Sequence, residues 1–115
     1  MEVEIYHNPR CAKSRETLEL LQKKGIAPKI RLYLEHHPSQ KELKDILAKL
    51  KIPATALLRT KEGIYRELVS TQGEPSNQVA VQWMVNYPAL IERPIVIKGD
   101  QARIGRPPQK VLEIL

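Results

Sequence analysis

The chain has 115 residues, room for one domain with a core of its own. A single cysteine excludes a disulfide within the chain, and the absence of phenylalanine leaves the core to Leu, Ile and Val. Nineteen Lys and Arg against thirteen Asp and Glu give a formal charge of +6, which suits an anionic partner without choosing among nucleic acid, membrane surface and small anions.

Val3–Tyr6 reads as a short, mostly buried strand, broken by His7-Asn8-Pro9-Arg10. A helix follows from Ala12 to about Lys24, with Thr17, Leu18, Leu20 and Leu21 on its buried side and Gly25 ending it. Lys29–Leu34 alternates enough for a second strand. Ser39 with Glu42 three places on forms a capping box, and Leu43, Ile46, Leu47 and Leu50 then repeat with helical spacing. Pro53 interrupts; Ala54–Leu58 reads as a helical turn, Glu62-Gly63 as a loop, and Ile64–Leu68 leans to helix. Residues 70–76 are polar and turn-rich. Ser76 or Asn77 caps a helix that Tyr87-Pro88 closes. Arg93-Pro94 opens the strand Ile95–Ile97, Lys98-Gly99-Asp100 turns, Ala102–Gly105 returns, and a last helix runs Gln109–Leu115.

The first two strands, joined by a helix, should be parallel; the last two, joined by a tight turn, must be antiparallel. The expected fold is α/β: a mixed four-stranded sheet flanked by helices, one domain over residues 1–115 with a helical insertion at about 39–90. Met1-Glu2-Val3-Glu4 does not read as a signal peptide, and no run approaches the length of a membrane span, so a protein of the reducing cytoplasm is expected. The basic residues are dispersed (Lys41, Lys44 and Lys49 suit a solvated helix face) and aromatics are sparse, so neither nucleic acid nor membrane is expected as a partner.

Cys11 stands where the first strand hands over to the first helix, the edge at which α/β proteins bind ligands. The first-turn amides of Ala12, Lys13 and Ser14 can bind an oxyanion and stabilise a thiolate, and Arg10, Lys13 and Arg15 add positive field. A lone cysteine is often a small buried hydrophobe; the polar run from His7 to Ser14 favours a reactive thiol instead. Ser14, three residues on, supplies no second thiol, so redox turnover of Cys11 requires an external one. Ser14 and Asn8 are candidates to support the thiolate, although Ser14 also reads as an ordinary first-turn residue. His7 either tunes the thiolate or holds the loop. His36 and His37 lack partners at metal-ligand spacing, and no metal site is expected.

Arg59, Arg93 and Arg106 each lie where an element begins or ends. The expected hairpin sets residues near 94 and 104 opposite each other, which brings Arg93 and Arg106 to one sheet edge. Guanidinium forks suit tetrahedral oxyanions. A cis peptide at Arg93–Pro94 is not decided by the residues alone.

Tyr6-His7-Asn8-Pro9-Arg10-Cys11-Ala12-Lys13-Ser14-Arg15, followed by Thr17-Leu18, resembles the active-site segment of the glutaredoxin-coupled arsenate reductases. Further matches are Tyr33-Leu34, Ala56-Leu57-Leu58-Arg59, Pro88 with Leu90-Ile91, Arg93-Pro94-Ile95-Val96, and Gly105-Arg106-Pro107-Pro108 with Val111-Leu112, collinear over nearly the whole chain. The resemblance implies a thioredoxin-like fold, a cis Pro94, and Cys11 as the nucleophile that attacks arsenate. It implies that Arg59, Arg93 and Arg106 grip the oxyanion, that His7 favours the thiolate, and that Ser14 and Arg15 belong to the anion-binding loop. It further implies glutathione as co-substrate with no bound cofactor, glutaredoxin as partner, and a monomer. Long forms of the family continue past the point matching Leu115 with a tail that carries none of these residues. A monothiol, glutathione-linked oxidoreductase acting on another substrate, or a non-enzymatic regulator binding RNA polymerase, uses the same scaffold; the intact cysteine and arginine set favours the enzyme.

Overall fold

The computed structural model describes residues 2–115; Met1, part of the N-terminal stretch read above, lies outside them. The chain forms two compact units, one built from the stretch ending at His36 together with Arg93–Leu115, the other from His37–Glu92.

The first unit carries the sheet. Strands β1 (Val3–Tyr6), β2 (Lys29–Arg31), β3 (Ile95–Lys98) and β4 (Gln101–Ile104) lie in the order β2-β1-β3-β4. β1 is parallel to β2 and antiparallel to β3, and β3 is antiparallel to β4. The mixed sheet with its parallel first pair and antiparallel last pair is therefore as expected. Helix α1 (Ala12–Lys23) and a C-terminal 3-10 helix, Pro108–Ile114, pack together over the sheet. Val3 and Ile5 alternate onto one face of β1, and with Val96 they meet Leu21, Val111 and Ile114 in a closed apolar cluster. Burying each such side chain contributes about 1.5–3 kcal/mol.

Several expected boundaries shift. β2 stops at Arg31, not Leu34, because the carbonyl of Leu32 accepts from the amides of Glu35 (3.0 Å) and His36 (2.9 Å) and turns the chain. Arg31 closes that turn through Nε to the His36 carbonyl, 2.9 Å, and lies over the Tyr6 ring. Ile30 and Leu34, both within the expected strand, are 46% and 41% exposed. β4 begins and ends one residue earlier than expected: Gly105 still donates to the Pro94 carbonyl, but Pro94 has no N–H to return the bond. The last helix is 3-10 and starts at Pro108.

In the second unit, helix α2 (Gln40–Leu50) begins with the expected capping box: Ser39 Oγ accepts from the Glu42 amide, and the Glu42 carboxylate accepts from the Ser39 amide. Leu43, Ile46 and Leu47 are buried; Leu50 is only partly so. A 3-10 turn spans Ala54–Leu57. Helix α3 runs Gly63–Gln72, so Gly63 belongs to the helix and not to a loop, and the polar tail is helical too. Ser70 and Thr71 bond back to the Glu67 carbonyl, which lets polar residues continue the helix until Gly73 takes a positive φ. Helix α4 (Asn77–Asn86) is capped by Ser76, buries Ala80, Val81, Trp83 and Met84, and packs on α2. A 3-10 turn, Pro88–Leu90, follows. Among the described residues, no helix is long and apolar enough to cross a membrane.

Candidate active site

The register of the sheet brings the site residues of the first unit to one edge. Tyr6, the last residue of β1, pairs with Ile95, the first of β3, and Ile95 pairs with Ile104, the last of β4. The loop leaving β1, the entry to β3 and the exit from β4 therefore lie side by side. The hairpin pairs these residues as expected, with Gly105 facing Pro94 through a 2.9 Å amide-to-carbonyl bond. The Arg93–Pro94 and Arg106–Pro107 peptides are both cis; the second has no signal in the sequence.

Cys11 is the N-cap of α1 in extended conformation, 8% exposed. Its amide donates to the Asn8 carbonyl (3.0 Å), and its carbonyl receives the first helical bond, from Arg15 (3.0 Å). The Asn8 side chain accepts from the Arg10 amide, and Arg15 Nη1 donates to the Pro9 carbonyl, both at 3.0 Å. The loop is thus tied at three points before the thiol. The amides of Ala12, Lys13 and Ser14 find no acceptor among the described residues, as first-turn amides do when no side chain caps them.

Arg106 reaches the sulfur. Its Nη2 donates to Cys11 Sγ at 3.5 Å while its Nε donates to the Arg93 carbonyl at 2.8 Å, so the hairpin backbone holds the guanidinium in place. Arg93 keeps Nε and Nη1 buried. Arg59 lies in the second unit. The Leu58–Ile91 bridge, with the Arg59 amide on the Leu90 carbonyl (2.8 Å) and the Glu92 amide on the Leu57 carbonyl (2.9 Å), sets Arg59 beside Glu92. Its guanidinium pairs with Glu62 and stands 3.7 Å from Glu92.

His7 and Ser14 form a buried pair, Nδ1 to Oγ 2.6 Å, and Ser14 Oγ also accepts from the Asn8 amide at 3.0 Å. Their polar partners are each other and the loop. Burial, and then the positive charge of Arg15, hold the His7 imidazole below its ordinary pKa, so it is neutral near pH 7. Lys13 pairs on the surface with Glu16 at 3.6 Å.

Two residues join the site that the sequence marks only by lying in the resembling segments, with no functional role assigned to them. Gly105 packs so closely that a Cβ there would lie 2.6 Å from Thr17 Oγ1 and 2.8 Å from Pro94 Cγ. Thr17, fully buried, bonds back to the Lys13 carbonyl at 2.8 Å. The glycine follows the last strand, where only a missing side chain admits such an approach. Among the described residues, no cluster of three His, Cys, Asp or Glu is placed to hold a metal ion.

The ArsC family model matches residues 6–114. The chain belongs to the ArsC family. Among proteins similar to this ArsC chain is the arsenate reductase of Haemophilus influenzae, 51% identical over 116 residues that span all of both chains. A protein of Escherichia coli K12 named "Uncharacterized protein YfgD" is 49% identical over 115 residues, 99% of this chain and 97% of that one. The solved structure of an arsenate reductase from Vibrio cholerae superposes with a TM-score of 0.94 at 50% identity, covering 100% of this chain and 98% of that one. The α/β, thioredoxin-like architecture is the family's.

Proposed function

We propose that the chain reduces arsenate to arsenite through Cys11, with glutathione and glutaredoxin completing the cycle. The observation that carries the reading is the Arg106 guanidinium held 3.5 Å from Cys11 Sγ at the start of a helix. A cation and free helix amides favour a thiolate, and the same donors suit the oxygens of an incoming oxyanion. The names of relatives about half identical to this chain point to arsenate as that oxyanion.

In the first step the Cys11 thiolate attacks arsenic(V), an S–As bond forms, an As–OH bond breaks, and that hydroxyl takes a proton from solvent and leaves as water. Arg106, Arg93 and the amides of Ala12, Lys13 and Ser14 take the developing charge. A glutathione thiolate then attacks Sγ. The S–S bond forms, the S–As electron pair passes to arsenic, and arsenite(III) departs. The mixed disulfide is reduced by an external thiol, because the chain has no second cysteine, and the family resemblance assigns that thiol to glutaredoxin. The His7–Ser14 pair holds the loop by hydrogen bonding; a neutral imidazole adds no charge. Arg59 is assigned to the oxyanion by the family resemblance. The whole chain is taken as one thioredoxin-like domain with residues 39–90 inserted, acting as a monomer in the cytoplasm.

The test is arsenate-dependent NADPH oxidation with glutathione, glutathione reductase and glutaredoxin supplied. Turnover that vanishes in Cys11→Ser is expected. No turnover above that control overturns the reading and leaves the non-enzymatic alternative standing; turnover with other oxidised substrates alone moves it to a monothiol oxidoreductase.

A further inference from the structure

We propose that the cavity beside the thiol loop is the binding site for the reducing thiol, a zwitterionic thiol peptide of the glutathione kind. It rests on the reading above, which requires a second thiol but places it nowhere. The cavity measures about 450 Å³, within the range of small-molecule sites. It lies entirely in the sheet unit, between the loop leading into Cys11 and the turn after β2. Pro9, Leu32 and Leu34 give it an apolar wall, and Asn8, Arg10 and Glu35 its polar groups.

The turn that cut β2 short creates this space. By folding back at Leu32, the chain leaves Leu34 41% exposed and brings Glu35 to the same cavity as Arg10. Both charged side chains are exposed, and among the described residues neither makes an ion pair. One cation and one anion across an apolar floor match a peptide that carries carboxylates and a free ammonium. Arg10 takes a carboxylate and Glu35 the ammonium. An arsenate-only site needs no carboxylate at its margin. The loop that lines the cavity, His7–Arg10, leads directly into Cys11, so a thiol held there is next in sequence to the sulfur it must reach.

The experiment avoids arsenate, so its failure and that of the reductase reading are distinguishable. Glutathione disulfide is mixed with the reduced, full-length chain, and the rate of mixed-disulfide formation at Cys11 is followed by mass. The Cys11 thiolate attacks one disulfide sulfur, a new S–S bond forms, and one glutathione thiolate leaves. The same is done with hydroxyethyl disulfide, which is uncharged, and with iodoacetamide, which reports the thiolate itself. Arg10→Gln and Glu35→Gln together are expected to slow the glutathione disulfide reaction roughly fivefold relative to the other two, the size of two exposed ion contacts. A Leu34→Glu variant, which puts a second carboxylate on the wall, is expected to slow it in the same selective way. If all three reagents slow together, or if none does, the cavity is not the thiol site.

Discussion

The two units of the chain use arginine in opposite ways. In the sheet unit, Arg106 is held by a backbone carbonyl and spends a donor on the cysteine sulfur. In the helical unit, Arg59 is held by carboxylates, Glu62 and Glu92, so much of its charge is already balanced. A guanidinium that already places a donor on the sulfur can act on a thiolate or an oxyanion from where it stands. One anchored by two carboxylates must exchange existing partners before it can act, and gains less from doing so.

Replacing each arginine by alanine puts a magnitude on that contrast. Arg106→Ala is expected to lower kcat/KM for arsenate by about 10²–10³, the usual loss for a donor aimed at developing charge. Arg59→Ala is expected to cost about tenfold, because the lost guanidinium was already largely neutralised. Circular dichroism should show both chains folded. Equal losses would mean that the carboxylates around Arg59 do not restrain it, and the contrast would fail.

The units also differ in what holds their elements. Around the thiol the backbone itself is in contact: Gly105 lies against Thr17 and Pro94 with no room for a methyl group. Gly105→Ala is expected to destabilise the chain by about 1–3 kcal/mol in chemical denaturation. Thr17→Ala in the same chain should recover part of that loss, since Thr17 supplies two of the three close contacts. Purely additive losses would show that the strain is not where the distances put it. In the helical unit the corresponding device is a cap. Ser39→Ala removes the hydroxyl that accepts from Glu42 and should cost about 1 kcal/mol. It should leave the rate of Cys11 alkylation unchanged, whereas the Gly105 variant should alter it.

Particular residues show why the sequence is legible in some places and not others. Ser39 with Glu42 and the Leu43-Ile46-Leu47 spacing state a helix start and its buried face within one short window, and both are found. The junction at Cys11 is equally local, since strand pattern, Asn-Pro break and helix pattern adjoin. The turn at Leu32 is not legible that way. Leu32 and Leu34 alternate like a strand, and only the bonds that close on the Leu32 carbonyl decide otherwise. Ser70 and Thr71 read as turn residues because their hydroxyls compete for backbone groups; in α3 they satisfy that competition within the helix. Glu62 lies three residues from Arg59, but Glu92 reaches it only through pairing with a distant stretch of chain, and the approach to Gly105 depends on a helix and a proline far from it. Such contacts are properties of the fold and leave no periodicity to read.

The smallest expected effect concerns the buried pair that joins the loop to the helix. His7 is 6% exposed and its pKa is lowered by burial first and by Arg15 second. In the unfolded chain it titrates near its ordinary value of about 6.5. Between that value and the lower folded one, the unfolded chain binds more protons than the folded chain, so stability must fall as pH falls through this window. Above it His7 is neutral in both states and contributes no slope; below it the loss is complete and constant. The urea midpoint of the wild-type chain, followed from about pH 7.5 downward, should therefore begin to drop near 6.5. His7→Asn, which keeps an amide near the position of Nδ1, should shift the midpoint at neutral pH but remove that part of the slope. Ser14→Ala takes away the 2.6 Å partner without removing the imidazole. It should keep the slope, since burial is the larger cause and Arg15 remains in place. Identical slopes in the wild-type and His7→Asn chains would mean that the imidazole reaches water and takes up its proton without disturbing the loop. The tie between His7 and Ser14 would then have no part in keeping the helix start beneath the sulfur.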